Sequence, residues 1–159
     1  MGIVAVVAGS NRGFWQVMIP LGVAGIVLFV LVIVFRPVAR TGAVAYAQAN
    51  LRRTAEAAET VALADGSLAD ATRQRLSDEG SIDDLLLIDP DQSSNDPEVI
   101  SVMATGAAWT GSVRAETGEC FWIRVRAGSG SGFARAFGTG TDCTAQAASA
   151  AEPSAWPEP

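Results

Sequence analysis

From Val17 to Phe35 the chain runs nineteen residues without a charge, between Gln16 and Arg36. As an α-helix rising about 1.5 Å per residue, this run spans about 28 Å, close to the hydrocarbon thickness of a bilayer. Phe14 and Trp15 stand where interfacial aromatics stand, and Arg36 and Arg40 close the other end. Pro20 falls in the first turn or so, where a missing N–H costs little. Residues 14–36 are therefore predicted to form a transmembrane helix, preceded by a short leader, 1–13. Two other readings compete. A buried core helix would need a small domain to surround a uniformly apolar stretch. A secretory signal peptide would have a shorter apolar region, and Thr41-Gly42-Ala43 is a poor cleavage site.

A chain of 159 residues has room for such an anchor and one small domain. All seventeen acids lie after Gly42, together with eight of the eleven arginines. An acidic domain repels phosphate backbones, which argues against a nucleic-acid partner. Lys and His are both absent, which excludes Schiff-base chemistry, imidazole general-base catalysis and His-rich metal sites.

The orientation signals conflict. Arg36, Arg40, Arg52 and Arg53 outnumber Arg12 and would put the C-terminal side in the cytoplasm. Cys120 and Cys143, the two cysteines, point outward if they pair, because a disulfide persists only in an oxidising compartment. Such a bond would contribute about 3 kcal/mol. Two unpaired buried thiols are the alternative; a structural zinc site lacks ligands. The extracytoplasmic placement is the one expected here.

Beyond the anchor the helix is expected to continue through residues 37–66. Val44, Leu51 and Ala58 repeat every seven residues, with Ala47, Thr54 and Val61 on the alternate seam. Arg52, Arg53, Glu56 and Glu59 fall on the other face, with Arg52–Glu56 at helical neighbour spacing. Asp65-Gly66 is the stop signal. Leu68–Glu79 reads as a short helix ending at Gly80, and residues 78–98 as an acidic loop broken by Pro90 and Pro97. Four β-like runs follow, Val99–Thr105, Trp109–Ala115, Cys120–Arg126 and Phe133–Phe137. In the third, Phe121, Ile123 and Val125 alternate with Trp122, Arg124 and Arg126, the mark of a half-buried strand. Residues 128–132 read as a hairpin loop. The Ala-, Ser-, Pro- and Glu-rich end, residues 148–159 above all, reads as a disordered tail. A helix with one apolar stripe and an antiparallel sheet with one apolar face bury each other, so an α+β roll is predicted, its head at 67–147.

These features resemble type IV pilins and the pseudopilins of type II secretion, in particular the small Gram-positive or high-GC bacterial kind. Arg12-Gly13-Phe14 is similar to the family's processing site. Residues 45–53, Ala-Tyr-Ala-Gln-Ala-Asn-Leu-Arg-Arg, resemble its Ala-rich entry to the head. Thr117-Gly118-Glu119-Cys120-Phe121-Trp122-Ile123-Arg124 resembles its cysteine-bearing strand, and Thr141-Asp142-Cys143-Thr144 its closing cysteine. The likeness covers roughly residues 12–147. It implies processing between Gly13 and Phe14 and assembly with other pilin-like subunits through the anchor helix. The family carries Thr-Leu-x-Glu after the Phe, whereas this chain has Trp15-Gln16-Val17-Met18. Met18 cannot pair with a neighbour's amine as that Glu does. Gly22 and Gly25 would let neighbouring membrane helices approach closely, and are equally ordinary in a membrane helix.

No catalytic constellation stands in the sequence. Asp83 with Asp84, or Asp89 with Asp91, are paired acids without a partner system. Asp89-Pro-Asp91-Gln-Ser93 opens like a calcium loop but lacks the turn Gly, and Ile100 occupies the place of the closing acid. Gly128–Gly132 lacks the Lys and following helix of a phosphate cradle. The expectation is a structural subunit with no cofactor or metal. The alternative is a monomeric, anchored binding or sensing module outside the cytoplasm.

Overall fold

A computed structural model describes the backbone of residues 12–128 and 132–156, and the side chains from Ala39 onward within those ranges. The chain divides into two compact units, with the boundary between Ala39 and Arg40. The helix α1, Arg12–Asp65, has residues in both. Among the described residues no helix is long and apolar enough to cross a membrane; the predicted span, 17–35, lies outside the described side chains.

In the second unit, the stretch of α1 from Arg40 lies along one face of a five-stranded sheet. Each predicted seam residue is buried: Val44, Ala47, Leu51, Thr54, Ala58 and Val61. Gly66 ends the helix at φ +93°, and its N–H donates to Ala62 O at 2.9 Å, so the expected glycine stop is present. The predicted helix over 68–79 is instead two short pieces, a 3₁₀ turn Leu68–Asp70 and α2, Arg73–Ser77. Ser67 and Thr72 each cap one of them. A side chain that caps a new helix start at Thr72 divides what composition alone reads as one segment.

The strands are β1 (Leu86–Ile88), β2 (Val99–Ala104), β3 (Ala108–Arg114), β4 (Cys120–Ala127) and β5 (Phe133–Gly140), ordered β1-β2-β3-β4-β5. β2 to β5 pair antiparallel, matching the four predicted runs to within a few residues. β1 pairs parallel with β2, so the sheet is mixed rather than antiparallel. Its three residues sit inside the stretch expected to be an acidic loop, where the short apolar run Leu85–Ile88 is flanked by acids. Gly118, at φ +90°, makes the turn from β3 to β4.

Register separates the two faces. Val102, Gly111, Ile123 and Phe137 line up on the α1 side, as do Ile100, Val113 and Phe121. A methyl on Gly111 would stand 2.6 Å from the Trp109 ring and 2.9 Å from Leu51 Cδ1, so the bare backbone there lets Leu51 settle onto the sheet. The other face carries Ser101, Thr110, Ser112, Trp122 and Arg124, all buried. β4 is thus buried on both faces, not half-buried. The cover comes from α3, Ala145–Ala150, which packs on β2, β3 and β4. Within the predicted disordered tail, residues 145–150 are the helix α3, and Ser154 and Trp156 hydrogen-bond to β5. A single large aromatic supplies the apolar area that the small residues around it lack.

Candidate functional site

Cys120 opens β4, and Cys143 lies between β5 and the cap of α3. They form the disulfide, with Cα atoms 5.2 Å apart, and both are buried. The bond holds the start of α3 against the sheet. Ser101 Oγ accepts from Ala145 N–H at 2.9 Å and donates to Asp89 O at 3.0 Å, tying α3 to the loop after β1. Thr144 caps α3 through Ala147 N–H. At its other end Arg124 donates to Ala148 O (2.6 Å) and Ala151 O (2.9 Å), placing a cation on the negative end of the helix. Arg124 is only 7% exposed and its Nε has no partner among the described groups. Burial pushes its pKa down, and Arg126 adds to the effect. Its ring neighbour is Trp122, 5.2 Å from the guanidinium carbon.

The outward face of α1 is a row of pairings with other elements. Arg53 grips Asp84 with both nitrogens (2.7 and 3.0 Å) and donates to Ser81 O. Tyr46 donates to Glu98 at 2.7 Å, and the buried Asn50 amide donates to Pro97 O at 3.0 Å. Arg40 pairs with Glu119 at 2.6 Å. Arg135 of β5 binds Glu59 bidentately (2.6 and 2.7 Å) and stands 3.7 Å from Glu56. Arg53 lowers the pKa of Asp84; Arg40 lowers that of Glu119, with help from Thr117. Thus Glu56 is met by Arg135 rather than by Arg52, the partner its helical spacing suggested. Arg52 lies 5.1 Å above the Trp156 ring.

Trp156 caps a groove of about 510 Å³ whose walls include Arg52, Arg135, Phe137, Pro153 and Ser154. Its ring meets Phe137 edge-on at 5.0 Å and Phe121 at 6.0 Å. Nothing in the strand and helix periodicities marks Trp156. The signal available was its size, alone among Ala, Ser, Pro and Glu.

The other sequence candidates are dispersed. Asp84 is engaged by Arg53, and Asp89 stands 3.5 Å from Arg73. Asp83 and Asp91 are exposed. Among the described residues no group of three Cys, Asp or Glu side chains is placed to hold a metal ion. Gly13, Phe14, Met18, Gly22 and Gly25 fall within the helical backbone of α1, and their side chains lie outside the described set. The structure therefore brings the cysteines together and leaves the processing and helix-contact candidates untouched. Comparison with family models, with curated proteins and with solved structures finds no match to this chain.

Proposed function

We propose that this chain is a membrane-anchored structural subunit that assembles with related pilin-like subunits into a pilus or secretion pseudopilus, its head outside the cytoplasm. The observation that carries the reading is α1. One helical element includes both the uncharged run 17–35 and the buried seam Val44–Val61, laid on a sheet that follows it in the chain. The paired cysteines favour an oxidising compartment for the head. The function works through association rather than bond chemistry.

Two single-cysteine variants, Val17→Cys and Ile26→Cys, test it by crosslinking in cells. Ladders of two, three and more subunits are expected, and monomer alone at both positions counts against assembly. Mass spectrometry of the mature N-terminus tests processing: a chain beginning at methylated Phe14 is the expected product. The alternative, a monomeric anchored binding or sensing module, draws on the groove between Arg52, Arg135, Phe137 and Trp156. Ligand binding by a subunit that co-purifies with no pilin-like protein would favour it.

A further inference from the structure

β5 is one of the two outer strands of the sheet and the least buried of the long ones. An open edge of this kind is a template for another extended chain. Here Ser154 and Trp156 of the same chain occupy it. Ser154 N–H donates to Phe137 O at 2.9 Å, Thr139 N–H donates to Ser154 Oγ at 3.2 Å, and Trp156 Nε1 donates to Gly138 O at 2.9 Å. Among the described residues, Ser154 N–H makes the one backbone-to-backbone bond between residues 152–156 and the sheet. Glu152, Pro153, Ser154 and Ala155 are exposed. The segment is thus a strap with one strong anchor, the indole, and few bonds behind it. Such segments open at far lower free energy than a core strand.

We propose that this strap is exchanged between subunits: residues 152–156 of one copy occupy the β5 edge and the Trp156 seat of a second copy. The seat is already shown to fit this segment, because it holds it in the same chain. The turn between α3 and the strap supplies the hinge. Ala151 leaves the helix in extended geometry, ψ 147°, two residues before Pro153. Contacts made in trans are chemically those made in cis, so the balance between them is set by concentration. A strap on a short tether experiences an effective concentration on the order of millimolar. Dilute copies therefore close on themselves, while copies packed side by side on a membrane exchange.

The inference rests on the reading that subunits associate, and adds the contact by which heads are linked. Its test uses the full-length chain in detergent. Deleting Glu152 and Pro153 shortens the hinge, so Trp156 no longer reaches its own seat. Sedimentation is expected to show the dimer fraction rising at least tenfold over the unaltered chain; a monomer at all concentrations overturns the proposal. Independently, a Phe137→Asp chain carrying a photoreactive benzoylphenylalanine at position 155 is mixed with a Trp156→Ala chain. Irradiation is expected to give an adduct on residues 135–139 of the second chain. Failure of that adduct, while the photoreactive group in an otherwise unaltered chain labels its own β5, also overturns it. Ladders through positions 17 and 26 without any exchange would leave assembly standing and remove the strap contact alone.

Discussion

The two faces of the sheet are held by different physics. On the α1 side, Leu51, Ala58, Val61, Ile100, Val113, Phe121 and Ile123 form an apolar core in which shape and area decide the packing. On the α3 side, one large aromatic, Trp122, is buried beside Ser101, Thr110, Ser112 and Arg124, and the cover is a helix of six residues. So short a helix is marginal by itself. It stays in place through a disulfide, a threonine cap and an arginine on its last carbonyls. A mostly polar face, covered by a helix without large apolar side chains, is secured by specific bonds as well as by Trp122.

If that contrast is right, truncating the apolar face has the largest effect. Phe121→Ala is expected to cost about 3–5 kcal/mol, read as a lower midpoint in denaturant unfolding. Removing the covalent tie, Cys120→Ala with Cys143→Ala, is expected to cost about 3 kcal/mol. Hydrogen exchange should place the loss first in α3 and the loop 89–98, with α1 amides protected as before. Equal loosening of both faces would break the distinction. Arg124→Met is expected to cost about 1–2 kcal/mol, because the carbonyls of Ala148 and Ala151 lose their donor. The apolar replacement offsets part of that by removing a buried charge.

The smallest effect is electrostatic and belongs to the outward side of α1. Arg53 and Arg40 depress the pKa values of Asp84 and Glu119. A carboxylate with a depressed folded pKa contributes stability that is fully present above its unfolded value, about 4. That stability is lost as pH falls through the lower folded value. Thermal midpoints should therefore decline below about pH 4, and Arg53→Gln should make that decline shallower. The pairs are exposed, so the difference is slight and fades in high salt.

The apolar face was the legible one. The heptad of Val44, Leu51 and Ala58 and the alternation of Phe121, Ile123 and Val125 both record burial against a single partner, and the structure pairs them. The α3 face was hard to read because its cover leaves no such period. Ala145–Ala150 contains no large apolar residue, and what holds it is a cysteine, a threonine and an arginine from distant parts of the chain. β1 was hard to read for a related reason: three residues are too few to show alternation, and acids flank them. Of the site, the cysteine pair was readable from composition. The groove was not, since Arg52, Arg135 and Trp156 belong to three elements that only the fold brings together.

The close approach of Leu51 to Gly111 has a consequence for how this head can vary. A methyl at 111 would meet the Trp109 ring first and Leu51 second, so a side chain can enlarge there only if both neighbours give way. Gly111→Ala should be poorly tolerated, and Leu51→Val should relieve only the lesser of its two clashes, the Trp109 ring being the other. Across descendants of this chain, position 111 should therefore stay glycine unless positions 51 and 109 both change.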